Sequence, residues 1–200
     1  MEIVNLTLPN LPAHIISKLK VFADTLAHND EERIHLNNFY GGSINTVNHS
    51  FVPVHELNAE INDIYSSYFG DTFDTYIGVL RNVNNIPASM PAHYDYYRHI
   101  AINYYIDLGG NNVTTCFYDK SRNTDMEDSK FFTPNEINLQ KSYYLQVNNW
   151  YSYSVQQCHS VENIETTRIM LILVLQSNPT MQEFIQRHKI LINPTSISCL

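Results

Sequence analysis

From Thr72 to Gln176 the chain reads as a succession of short strand segments separated by Asn, Gly, Pro and Asp turns. Nothing else in the sequence constrains the fold as tightly. A long run of short strands must stack as two sheets or close on itself, because an open sheet leaves apolar surface and unpaired edges in water. The segments are Thr72–Val83, Met90–His93, Arg98–Asp107, Val113–Tyr118, Ser142–Val147, Tyr151–Val155, Ser160–Glu162 and Thr167–Gln176, with a charged loop at Asp119–Ser129. The most apolar of them, Ile169–Leu175, is too short to span a bilayer and reads as a strand buried on both faces. The expectation is a mainly β, double-sheet jelly roll or barrel with helices packed outside one sheet.

The helices come from the flanks. In Leu11–Leu26, residues Ile15, Ile16, Leu19, Phe22, Ala23 and Leu26 fall on one helical face, and Asn29–Asp30 closes the segment. His55–Phe69 repeats the pattern and Gly70 suits its stop. Met181–His188 reads as a last short helix, Met1–Leu8 as a short edge strand, and Glu31–Ser50, with Gly41-Gly42, mostly as loop. The 200 residues suit one domain: a helical N-terminal support region over 1–70, a β core over 72–176, and a C-terminal helix and tail over 177–200.

A formal net charge of −8 without any Lys/Arg run argues against a nucleic-acid groove. Cys116, Cys158 and Cys199 are odd in number and widely spaced, which disfavours a disulfide framework or a zinc knuckle and fits a reducing cytosol. The N-terminus shows no basic region followed by an apolar core, so neither a signal peptide nor a membrane anchor is expected, and the location implied is cytoplasmic.

Within the β core, His93-Tyr94-Asp95 ends one strand, and His159 lies near the start of a later one. Residues i and i+2 of a regular strand point to the same side, so one metal could meet both His93 and Asp95. Two imidazoles and one carboxylate form the 2-His-1-carboxylate set of non-haem Fe(II) oxygenases, which leaves coordination positions open. Alone, the H-x-D triplet reads as a surface turn, and His159 could likewise be a satisfied core histidine. Arg168, nine residues after His159, changes the balance, because a guanidinium entering a roll interior is costly unless paired. Either Glu162 or Glu165 serves as a structural partner, or a diacid ligand does. Trp150, Tyr151 and Tyr153 read as core. Tyr94, Tyr96 and Tyr97 read as rim packing or as a substrate-recognition surface, and Cys158 as a small buried hydrophobe or an adventitious fourth ligand.

With these residues in place, the chain resembles the Fe(II)/2-oxoglutarate-dependent oxygenases, whose motif is H-x-D … H … R. The stretch Arg98–Asp107 followed by Gly109-Gly110 looks like the prolyl-hydroxylase branch. His159-Ser160-Val161 … Arg168 is similar to the distal motif of that branch and of the aspartyl/asparaginyl hydroxylases. The resemblance covers roughly Phe73 to Gln176 and implies a double-stranded β-helix of cupin-like, jelly-roll form. It implies His93, Asp95 and His159 as the catalytic iron ligands and Arg168 as the holder of the distal carboxylate of 2-oxoglutarate. Tyr105 matches a tyrosine that reaches the same carboxylate, and Asn103 shares its strand face. The implied reaction consumes O2 and 2-oxoglutarate, releases succinate and carbon dioxide, and hydroxylates an amino-acid side chain, peptidyl or free. Two other readings stand beside it: a cupin-like metal-binding roll that does not use 2-oxoglutarate, and a non-catalytic binding module.

Overall fold

The computed structural model describes residues 3–26, 45–95, 98–121 and 131–193. Asn29–Asp30, residues 31–44 and 122–129 of the two expected loops, Tyr96, Tyr97 and Cys199 lie outside the described residues. The strands are β1 (Val4–Leu6), β2 (Asn48–Pro53), β3 (Phe73–Arg81), β4 (Ala88–His93), β5 (Ile100–Leu108) and β6 (Thr114–Ser121), then β7 (Leu139–Tyr144), β8 (Trp150–Ser154), β9 (Gln157–Ile164), β10 (Thr167–Leu175) and β11 (Ile192–Asn193). They form a seven-stranded sheet, β11-β1-β8-β5-β10-β3-β2, and a four-stranded sheet, β4-β9-β6-β7. From β3 to β10 the chain passes back and forth between the sheets, so strands distant in sequence become neighbours. This is the jelly roll that the strand-rich stretch predicts.

Strand alternation divides the core in two. On β5, Ile100, Ile102, Tyr104 and Ile106 face outward to the helices, while Ala101 and Tyr105 face into the roll. On β10, Ile169, Leu171, Leu173 and Leu175 face out, and Met170 and Ile172 face in. Both strands are apolar on both sides because helices cover one face of the large sheet and the small sheet covers the other. The covering helices are α1 (Ala13–Thr25), α2 (His55–Phe69) and α3 (Met181–Arg187). They contribute Ile15, Leu19, Leu57, Ile61, Tyr65 and Phe184 to the outer cluster. Gly70 ends α2 in the left-handed region, φ 59°, where a residue without Cβ pays no steric penalty. Trp150, fully buried, donates its indole N–H to the Pro9 carbonyl at 2.9 Å and ties the N-terminal segment to the sheet.

Several boundaries differ from the sequence expectations. β1 is not an edge strand: it pairs with β8 on one side and β11 on the other. The expected loop Glu31–Ser50 ends inside β2, whose polar sequence gives no alternation and whose strand state comes from pairing with β3. β7 covers Leu139–Tyr144 rather than Ser142–Val147, and β9 extends beyond Ser160–Glu162 on both sides. No helix among the described residues is long and apolar enough to cross a membrane.

Candidate metal centre

His93 closes β4 and lies directly across from His159 of β9 in the small sheet. Their ring centroids are 4.6 Å apart. The Nε2 atoms of His93 and His159 lie 3.4 Å and 3.7 Å from Asp95 Oδ1. One ligand atom from each of the three residues lies within 4.8 Å of the others. The structure therefore brings the three residues of the expected triad together. It does so by a different route from the same-side rule of a regular strand, because β4 ends at His93 and Asp95 lies in the following loop.

Two devices aim Asp95. Its backbone N–H donates to the Val155 carbonyl at 3.2 Å. Arg98 then donates from both Nε, at 2.9 Å, and Nη2, at 2.8 Å, to the same carboxylate oxygen, Oδ2. Oδ1 is thereby turned to the two imidazoles. The Gln156 side-chain amide spans the loop by donating to the Arg98 carbonyl at 2.7 Å and the Asp95 carbonyl at 3.4 Å. In the sequence Arg98 serves only as a mark of family resemblance. Its spacing of three from Asp95 is the signal that could have given it this second role.

Backbone carbonyls set the histidine tautomers. Nδ1 of His93 lies 2.7 Å from the Pro91 carbonyl and Nδ1 of His159 lies 3.0 Å from the Gln157 carbonyl. A carbonyl only accepts, so each Nδ1 carries the proton, and each neutral ring presents an Nε2 lone pair to the other side. Burial lowers the His159 pKa to about 4, and neighbouring His93 adds to this against the opposing pull of Asp95. Burial also pushes the Asp95 carboxyl up. The Arg98 guanidinium leads the opposing influences and more than offsets it, and the group ends well below the usual carboxylate range. Two lone pairs and an ionised oxygen that face one another at these distances repel, and a cation between them relieves the repulsion. The donor set suits a divalent transition metal.

Deeper in the roll lies Arg168, 1% exposed, at the start of β10. Its guanidinium stacks over the Tyr105 ring at 4.5 Å, and Nη2 reaches Thr115 Oγ1 at 3.4 Å. Its Nε is buried without a hydrogen-bond partner. Neither expected structural carboxylate is available: Glu162 accepts from Ser89 and Ser160, and Glu165 from Asn112. Among the described residues no carboxylate pairs with Arg168. Gly109, with φ +80°, lets the β5–β6 turn pack this closely: a Cβ there would sit 3.1 Å from the Arg168 backbone nitrogen. The Gly109 carbonyl accepts from the backbone N–H groups of both Glu165 and Thr166.

Tyr105 and Asn103 face the same interior. Asn103 donates to the hydroxyls of Tyr153, at 3.0 Å, and Tyr105, at 3.3 Å, which lie 3.3 Å from each other. The sequence reads Tyr153 only as core; its ring also packs edge-on against His159 at 6.0 Å. Cys158 is fully buried in a separate cluster with Ala92, Tyr94, Phe132 and Ile137, and burial pushes its thiol up to about 12. It is therefore the small buried hydrophobe of the two readings. Tyr94 belongs to the same cluster and packs edge-on against Phe132 at 5.1 Å.

No family model and no curated protein matches the chain. Among solved structures it is similar to a Pseudomonas putida prolyl-4-hydroxylase, at 10% identity and a TM-score of 0.43, over 86% of this chain and 91% of that one. It is similar to the epimerase SnoN, solved in complex with Fe3+, alpha ketoglutarate and nogalamycin RO, at 11% identity and a TM-score of 0.47, over 86% and 78%. It is also similar to an oxidoreductase of the 2OG-Fe(II) oxygenase family from Burkholderia pseudomallei, at 8% identity and a TM-score of 0.48, over 89% and 86%. Across such distant sequences it is the side chains that carry the chemistry.

Proposed function

We propose that the chain is an Fe(II)/2-oxoglutarate-dependent dioxygenase that hydroxylates an amino-acid side chain, peptidyl or free. One pairing carries the reading: an acceptor-only cluster of two imidazoles and a carboxylate, and a buried guanidinium that no carboxylate of the described chain neutralises. The first asks for a cation and the second for an anion. They lie along one strand face: Phe117 of β6 packs against His159, and Thr115, two residues back, contacts Arg168. Such a same-face step is about 7 Å. A five-carbon diacid that meets a metal at one end extends its other carboxylate over a distance of that order.

His93, Asp95 and His159 are the residues that would hold iron. Bound there, iron(II) supplies the redox chemistry by which O2 and 2-oxoglutarate oxidise a C–H bond, with release of succinate and carbon dioxide. The chain's own residues orient and enclose the reactants. Arg98 keeps Asp95 to a single donor oxygen, which leaves coordination positions for a cosubstrate. Arg168 offers its fork to the distal carboxylate, and the Tyr105 hydroxyl lies in the same interior. The rings of Phe117 and Tyr153 wall the space around His159 against water.

The test is succinate release by anaerobically iron-loaded protein, after exposure to O2 with 2-oxoglutarate and a panel of amino acids and peptides. Turnover that needs both iron and 2-oxoglutarate is expected. Iron binding is expected to be lost in His93→Ala and His159→Ala with the fold kept. Full iron occupancy in either variant removes the triad assignment, and turnover without 2-oxoglutarate makes the cupin-like reading the better one.

A further inference from the structure

The small sheet has a second face that carries a carboxylate beside a cavity. His159 points into the roll, whereas Glu162, further along β9, points to the outside of the same sheet. There a cavity of about 230 Å³ is lined by Pro91, Tyr118, Phe132, Ile137, Leu139 and Glu162, among others. One Glu162 oxygen accepts from the Ser89 hydroxyl and the other from Ser160 Oγ at 2.6 Å. Ser160 Oγ in turn lies 3.0 Å from the Tyr118 hydroxyl. The hydroxyls fix the carboxylate in place but do not neutralise it. Among the described residues no Lys, Arg or His forms an ion pair with Glu162. A carboxylate has about four acceptor positions, and these two hydroxyls occupy two of them.

We propose that this cavity binds an alkylammonium or guanidinium group on a short apolar stem, with Glu162 as its counter-ion. The site resembles an ion trap with greasy walls. The stem lies along Pro91, Ile137 and Leu139, the head meets the fixed carboxylate, and the Tyr118 ring supplies a π face. Its volume lies below the roughly 300–1,000 Å³ of cavities for drug-sized ligands, so it fits one side-chain-sized group. Leu139, 57% exposed, leaves the rim open to solvent. An unpaired carboxylate in a partly apolar cavity favours a cation over a neutral group of equal shape. The cavity also shares a residue with the metal cluster: Pro91 lines its wall, and the Pro91 carbonyl accepts the His93 Nδ1–H. A bound cation thus touches the strand that aims a metal ligand, although its binding needs neither metal nor 2-oxoglutarate.

The experiment titrates the full chain with n-butylammonium and, separately, with N-acetyl-lysine methylamide, followed by chemical-shift changes. Their neutral counterparts, n-butanol and the ε-acetylated lysine derivative, are the controls. Both cations are expected to saturate, with the neutral compounds at least tenfold weaker. The tighter of the two cations identifies the source as a free amine or a peptide side chain. Glu162→Gln is expected to weaken the cations tenfold or more. Leu139→Trp, at an exposed rim position that leaves the charge in place, narrows the cavity and is expected to weaken them similarly, with melting curves as the fold control. Equal binding of charged and neutral compounds, no saturation by either cation, or wild-type affinity in Leu139→Trp overturns the proposal.

Discussion

Two arginines flank the candidate site, and their surroundings differ: Arg98 is half-buried and Arg168 fully buried. Arg98 lies beside His93, Asp95 and His159 with two nitrogens on one oxygen of Asp95, although its Nη1 is buried without a hydrogen-bond partner. Arg168 lies deeper, over the Tyr105 ring, with only a long contact to a threonine hydroxyl and with Nε unpartnered. The first guanidinium completes an ion pair within the chain and serves to orient a carboxylate. The second is desolvated with no countercharge among the described residues, which is costly in the ligand-free protein. A guanidinium whose charge is answered internally acts as a brace. One left unanswered among the described residues is the group to which the proposed diacid would offer its far carboxylate.

The largest expected effect tests this second arginine. Removing one partner of a buried pair costs about 3–5 kcal/mol, so Arg168→Ala should weaken 2-oxoglutarate by roughly a hundredfold to several thousandfold. Arg168→Lys should fall between, because it keeps the charge and loses the fork. Titration of succinate formation reads both, with iron occupancy measured in parallel and expected to hold. Wild-type titration in Arg168→Ala makes this arginine structural and erases the contrast.

Methionine at each position should then separate the two arginines by sign. Arg98→Met strands the Asp95 carboxylate and should destabilise the metal-free protein by about 3 kcal/mol. It should also loosen metal binding by roughly tenfold to a hundredfold, as loss of a ligand's supporting hydrogen bonds does. Arg168→Met removes a charge that no carboxylate among the described residues balances, and should stabilise the ligand-free protein by about 1–2 kcal/mol. Denaturant melts of the two variants decide; shifts in the same direction break the comparison.

A smaller effect comes from pH. The folded His159 pKa of about 4 lies below the ordinary 6.5. Between those values the unfolded chain binds more protons than the folded one, so stability falls as pH falls. The metal-free protein should lose about 2 kcal/mol between pH 7 and pH 5 from this group. His159→Gln should flatten that part of the profile. Asp95, held below the usual carboxylate range, acts in the same direction: its contribution is present above the ordinary carboxylate pKa and is lost at lower pH. The smallest expected change is Tyr105→Phe. Loss of one neutral hydrogen bond, about 1 kcal/mol, should weaken 2-oxoglutarate several-fold. An effect as large as that of Arg168→Ala would make Tyr105 a principal binding group.

The sequence by itself determined what local spacing can determine. Alternation put Asn103 and Tyr105 on one face of β5, the apolar run Ile169–Leu175 marked β10 as buried on both faces, and turn residues marked off most of the strands. The H-x-D triplet, the distant His159 and an arginine at the head of the most apolar strand named the cluster that the structure brings together. The tertiary structure alone decided who partners whom. Asp95 is aimed by Arg98 and by the Val155 carbonyl from outside any strand, and Glu162 stands on the opposite face of the small sheet from the arginine it was offered to. β2 is a strand only because β3 lies beside it, and β1 is interior only because β11 returns to it. The physical reason is common to all of these. A side chain's face follows from its own residue's place along the strand. Its neighbours follow from the register between strands that the jelly-roll crossings bring together from far apart in the chain.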